Sequence, residues 1–188
     1  YYPYLSDIKD FAKRRSKAIK LMKDSKIQLY FASETCLHEY LFHNRDLGPL
    51  TVENTAYLLL ELPYARKWDS NIYETVERLM NHYNIIPIIA HIERYPSAKR
   101  KNIKRLKELG CVMQLKASSL LDKKTKRRAL SLIRTGLIDV LGSDCHNLTS
   151  RPPRIKHALE YINKQLGQSY CDRLIRQSVM IINGTDIR

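Results

Sequence analysis

Apolar segments of strand length alternate with amphipathic helical stretches four or five times along this chain, and no hairpin signal joins two of the strands. That alternation restricts the fold to parallel β/α architecture, either an open sheet or a barrel. A first helix opens near Ser6 or Asp7 with Ile8, Phe11, Ala18, Ile19 and Met22 as its stripe. Strands are expected at 27–33, where Ile27, Leu29 and Phe31 alternate with polar neighbours, and at 57–62, stopped by Pro63. A helix capped by Ser70 or Asn71 leads to the continuous apolar run Ile85 to Ala90, as expected of a strand covered on both faces. A basic helix at 101–109 ended by Gly110, a strand at 111–115, a helix at 127–135 closed by Gly136 and a strand at 137–142 follow. A helix at 155–166, with Gly167 as its stop, and one more before Met180 complete the order. No G-x-G-x-x-G and no G-x-x-x-x-G-K follows any strand, so a dinucleotide fold or a P-loop would lack its phosphate cradle.

Composition narrows the class. With 188 residues, 44% hydrophobic and 28% charged, the chain suits one domain with a buried core and excludes disordered and fibrous classes. No apolar run approaches the roughly 20 residues of a membrane-spanning helix. The opening YYPYLSDIKDF lacks a secretory pattern, and Cys36, Cys111, Cys145 and Cys171 form no C-x-x-C pair. Both features lead us to expect reduced thiols in a cytoplasmic protein. Thirty-three basic against 19 acidic residues give a net charge of +14, which raises nucleic acid, anionic membrane or phosphorylated substrates as partners. The basic runs also carry apolar residues at helical spacing, as solvated helix faces do.

The acids and histidines fall at strand ends. Glu34 follows the expected strand 27–33, Glu61 ends the next, His91 follows 85–90, and Asp144 and His146 follow 137–142. In parallel β/α folds the loops after the strands form one rim, where active sites sit. Taken singly, Glu61 fits a buried acid paired with a lysine, His91 a core histidine, Asp144 a turn cap and Glu34 a surface acid. A metal site explains all five together, and this mix of imidazole and carboxylate suits Mn²⁺, Fe²⁺ or Zn²⁺. Arg94 and Arg151 lie beside these groups in sequence, and a guanidinium fork can grip phosphate oxygens bidentately.

Three motifs carry a resemblance: L-L-L-E-L-P at 58–63, A-H-I-E-R-Y at 90–95, and S-D-C-H-N at 143–147 followed by R-P-P at 151–153. In this order and separation they resemble the bacterial manganese-dependent tyrosine-protein phosphatases of the PHP (polymerase and histidinol phosphatase) superfamily, of the CpsB/CapC type found in capsular and exopolysaccharide loci. A-S-E at 32–34 stands where the family has G-A-E, and Q-L-K-A-S-S at 114–119 where it has Q-V-N-A-G/S-S.

The resemblance implies a PHP-type distorted (β/α)₇ TIM-like barrel, with residues 1–188 forming a single phosphatase domain incomplete at its N-terminus. The family's opening strand, ending in D-x-H-S-H, and the histidine after its second strand have no counterpart here, so the barrel is expected to lack its first two strands. Glu34, Glu61, His91, Asp144 and His146 would be metal ligands in a centre of up to three ions, Mn²⁺ foremost, with Glu61 bridging two of them. Arg94 and Arg151 would hold the phosphate. The implied substrate is a phosphotyrosine protein, the tail of a bacterial tyrosine kinase of polysaccharide export, and stable nucleic-acid binding is not expected. Lys116 in place of the family asparagine sets a cation near the metals, where it would weaken one metal site or add a phosphate contact. With strand 27–33 left as an open edge, the chain alone is expected to self-associate and to turn over little substrate. The alternatives are another PHP phosphoesterase (a histidinol phosphatase or a nuclease) and a non-catalytic phosphopeptide-binding remnant.

Overall fold

A computed structural model describes residues 8–21, 26–65 and 67–188. The expected helix start at Ser6 or Asp7, Met22 and the YYPY segment lie outside these residues. Five parallel strands form one sheet in chain order: β1 (Thr35–Cys36), β2 (Tyr57–Glu61), β3 (Ile86–Ile89), β4 (Val112–Lys116) and β5 (Val140–Gly142). Helices α1 (Ile8–Lys20), α2 (Ser70–Tyr83), α3 (Arg100–Glu108), α4 (Lys126–Arg134), α5 (Ile155–Leu166) and α6 (Gln168–Ile182) accompany it. Every strand pair is parallel, as the helical crossovers require. Among the described residues β1 and β5 are the sheet's edges, and no pairing closes it into a barrel.

The helices form where an apolar stripe can be buried. In α2 the stripe is Tyr73, Val76, Leu79 and Met80, in α3 Ile103 and Leu106, and in α4 Ala129, Leu132 and Ile133. With Leu58, Leu60, Ile89, Met113 and Leu115 from one face of the sheet they make the large core. Asn84, in the left-handed region at φ 50°, turns the chain from α2 straight into β3. Gly110 does the same after α3 at φ 95°, a conformation that a side chain would strain.

The opposite face sets up the site. Side chains alternate along a strand, so Tyr57, Leu59 and Glu61 share this face, as do Val112, Gln114 and Lys116, and Val140 and Gly142. Its lower half is apolar: Tyr57, Ile88, Val112 and Val140 pack with Ile181 of α6 as a second, smaller core. The Tyr57 hydroxyl donates to the Thr185 carbonyl (2.8 Å) and accepts from the Ile187 N–H (3.1 Å), tying the C-terminal segment beneath the sheet. Toward the C-terminal strand ends the same face turns polar.

One expected strand is corrected. Residues 27–33 join no ladder, and β1 begins only at Thr35. The backbone bonds of this segment go to the loop before β2 instead, with Ser33 N–H donating to the Leu50 carbonyl (3.0 Å) and Glu53 N–H to the Phe31 carbonyl (2.8 Å). Ile27 is 74% exposed. Glu34 therefore precedes β1 rather than following a strand. The last strand is also shorter than expected, because Leu137 N–H caps α4 by bonding the Leu132 carbonyl. The final helix runs past Met180 to Ile182.

Candidate metal centre

Side chains from four loops meet in a cleft of about 420 Å³ at the C-terminal ends of the strands. Glu34, Glu61, His91, Arg94, Asp144, His146 and Arg151 all line it, and Phe11 of α1 closes one wall. All seven residues that the sequence nominated thus reach one cavity, although they do not form one cluster.

The tight cluster is Glu34, Glu61 and His91, whose ligand atoms all lie within 4.8 Å of one another. His91 Nε2 stands 2.9 Å from Glu34 Oε1 and 3.6 Å from Glu61 Oε1. His91 and Glu61 are buried, whereas the Glu34 side chain is partly open to solvent. Arg94 Nη1 donates to Glu61 Oε1 at 2.8 Å from a side chain that is half exposed. Burying the Glu61 carboxylate beside a second carboxylate is costly without cations to offset the charge. Among the described residues the buried His91 Nδ1 has no hydrogen-bond partner. Two carboxylates, an imidazole and an unpartnered ring nitrogen at the floor of a cleft fit a divalent cation of the Mn²⁺, Fe²⁺ or Zn²⁺ kind.

Asp144 and His146 line the same cleft outside this cluster. The Asp144 carboxylate accepts from Lys116 Nζ at 2.7 Å and from Arg151 Nη2, both on Oδ2. Burial disfavours its charged form, but the hydrogen bonds from Lys116 and Arg151 outweigh this and hold the carboxyl below the usual aspartate range. His146 is exposed, with Nδ1 3.7 Å from Asp144 Oδ1. His91 and Asp144 both adopt positive φ, 34° and 49°. For residues with a Cβ this costs of order 1–3 kcal/mol each, and such strain persists where the surroundings dictate the geometry.

Neighbours to which the sequence reading gave no role hold these groups in place. The Gln114 carboxamide oxygen accepts from the His91 N–H (3.4 Å). It lies over Gly142 so closely that a Cβ there would come within 2.6 Å of Gln114 Cδ. Buried Glu93 accepts from the Lys116 N–H (3.2 and 3.3 Å) and the Ser119 hydroxyl (2.6 Å), fixing the turn after β4. The Tyr95 hydroxyl accepts from the Leu62 N–H (3.0 Å), and its ring packs against His91 and Trp68, joining the ends of β2 and β3. Glu93 and Tyr95 belong to the A-H-I-E-R-Y motif and Gln114 to Q-L-K-A-S-S, so the signal was the motif rather than any periodicity.

Known proteins are similar to this chain in sequence and fold. The chain is 28% identical over 142 residues to the tyrosine-protein phosphatase CpsB of Streptococcus agalactiae serotype III (strain NEM316), covering 70% of this chain and 58% of that protein. It is 26% identical over 146 residues to the tyrosine-protein phosphatase YwqE of Bacillus subtilis (strain 168), covering 73% and 56% respectively. The chain thus spans little more than half the length of these relatives. A crystal structure from work on YwqE of B. subtilis and CpsB of Streptococcus pneumoniae, described as unique metal-dependent tyrosine phosphatases, superposes with a TM-score of 0.80 at 23% identity. The match covers 96% of this chain and 74% of that one and establishes a shared fold. Across residues 4–183 the sequence matches the family model for capsular polysaccharide synthesis, CpsB/CapC, and the chain belongs to that family.

Proposed function

We propose that the protein is a metal-dependent phosphotyrosine phosphatase acting on a protein substrate, the autophosphorylated tail of a bacterial tyrosine kinase in polysaccharide synthesis. The observation that carries this reading is the Glu34–Glu61–His91 cluster at the floor of a cleft whose rim bears two partly exposed guanidinium groups. In this reading Glu34, Glu61 and His91 hold the metal, Mn²⁺ before Fe²⁺ or Zn²⁺, while the Asp144 carboxylate is engaged by Lys116 and Arg151. A bound divalent ion supplies charge that polarises the phosphoryl group and lowers the pKa of water, so that hydroxide is available near neutral pH.

The chain's own residues do the rest. Arg94 and Arg151 both line the cleft and orient the phosphate by charge-assisted hydrogen bonds, releasing Glu61 and Asp144 as they do so. Phosphoryl transfer depends chiefly on positioning and on neutralising charge, which these guanidinium groups provide. The leaving group is a phenol of pKa about 10, so little general-acid assistance is needed. Among the described residues no helix is long and apolar enough to cross a membrane, and the reading takes the enzyme to work in the cytoplasm on a kinase tail.

Turnover of a phosphotyrosine peptide, histidinol phosphate and single-stranded DNA, each with and without added Mn²⁺, tests the assignment. Metal-dependent preference for the peptide is expected. Preference for histidinol phosphate would make the protein a different phosphoesterase, preference for DNA a nuclease, and peptide binding without turnover a non-catalytic receptor.

A further inference from the structure

The acidic groups lining the cleft differ in their balance of charge. Around Glu34, Glu61 and His91 two carboxylates converge, with Arg94 bonded to one of them. Around Asp144 the balance is reversed, because a single carboxylate faces both Lys116 and Arg151, and the two cations share its Oδ2. Only 11% of the Asp144 side chain and 27% of the Lys116 side chain are exposed, so this pair is screened less than a surface ion pair.

Lys116 is also built into its place. It ends β4 directly opposite Gly142 of β5, two residues before Asp144. Its N–H is held by Glu93. Register therefore sets its side chain on the same face as Gln114 and Gly142, where Nζ reaches Asp144 Oδ2.

From this geometry we propose that Lys116 is a resident cation occupying the place of a metal ion beside Asp144, so that divalent metal is confined to the Glu34–Glu61–His91 cluster. The proposal rests on the reading of that cluster as a metal site. An ammonium and a divalent ion compete for one carboxylate oxygen, and the ammonium, tethered covalently, is present at high effective concentration. It also repels a second cation brought to His146 and Asp144 Oδ1. Lys116 is thus a positioning and specificity residue that sets how many ions the centre holds.

Metal content after dialysis and calorimetric titration with Mn²⁺ decide the matter for the wild type and for Lys116→Gln, Lys116→Met and Lys116→Arg. The neutral variants are expected to bind one more Mn²⁺ per chain than the wild type, and Mn²⁺ should raise their melting temperature more. Lys116→Arg, which keeps the charge, should match the wild type. Identical stoichiometry and affinity across all four proteins would overturn the proposal. If the wild type binds no Mn²⁺ while the neutral variants bind one, the proposal stands and the reading of the triad falls. If none of them binds, both fall. A further variant needs no change at Lys116: Asp144→Asn should leave wild-type metal content unaltered, and loss of an ion from it would also refute the proposal.

Discussion

Replacing Glu93 separates a hydrogen-bonding role from an electrostatic one. Its carboxylate is buried and accepts from the Lys116 N–H and the Ser119 hydroxyl. Glu93→Ala leaves a partly buried N–H without an acceptor, at about 1–3 kcal/mol, and forfeits the net ~1 kcal/mol of the bond from Ser119. Relief of the buried charge offsets part of this, so a loss of about 2–3 kcal/mol is expected. Glu93→Gln keeps an acceptor oxygen and should stay within about 1 kcal/mol of the wild type. Burial pushes the Glu93 carboxyl above its ordinary value of 4.5, against the opposing hydrogen bonds from Ser119 and the backbone. With the folded value raised, the native state holds more protons than the unfolded chain in the window above pH 4.5. Wild-type stability therefore falls as pH rises through that window up to the folded pKa, and then levels off. Glu93→Gln lacks this loss, so its stability relative to the wild type should improve as pH rises. Urea unfolding in EDTA at several pH values from 4 to 8 measures both effects. An alanine variant as stable as the wild type, or a glutamine variant whose relative stability ignores pH, would refute the reasoning.

Further outcomes follow from the same geometry. Arg94→Ala should lower turnover of a phosphotyrosine peptide by about 10²-fold, as for loss of one donor to developing charge, while metal analysis shows unchanged content. Gly142→Ala drives a Cβ into the Gln114 carboxamide and should cost about 1–3 kcal/mol in thermal unfolding. Shortening the obstacle with Gln114→Ala in the same chain should restore part of that stability. Asp139 is buried and accepts from Lys107 Nζ (2.6 and 2.7 Å) and the Met113 N–H (2.8 Å), linking the segment before β5 to α3 and β4. Asp139→Ala should cost about 2–4 kcal/mol in urea unfolding, less than a fully buried pair because Lys107 can reach solvent.

Parallel β/α architecture was legible because β2 and β3 are largely buried on both faces and read as apolar runs, and helices with unmistakable stripes separate the strands. The nominated site residues shared one cleft because strand-end position is a property of topology, and topology followed from the alternation. What failed was local. Ile27, Leu29 and Phe31 alternate like a strand, yet alternation does not reveal which partner supplies the ladder, and the loop at 50–53 takes those bonds. The pairing of Asp144 with Lys116 depended on register between β4 and β5, which a sequence expresses only weakly. Gly142 gave no signal of its own, since its constraint is the Gln114 side chain rather than an unusual φ.

Calorimetry of Mn²⁺ binding to the wild type and to Glu61→Ala asks whether the Glu34–Glu61–His91 cluster holds the metal. Saturable binding to the wild type is predicted, with affinity reduced by about 100-fold or more in Glu61→Ala, since removing a ligand should exceed the 10–100-fold seen when an outer-shell partner is lost. Equal affinity and stoichiometry in the two proteins would contradict it.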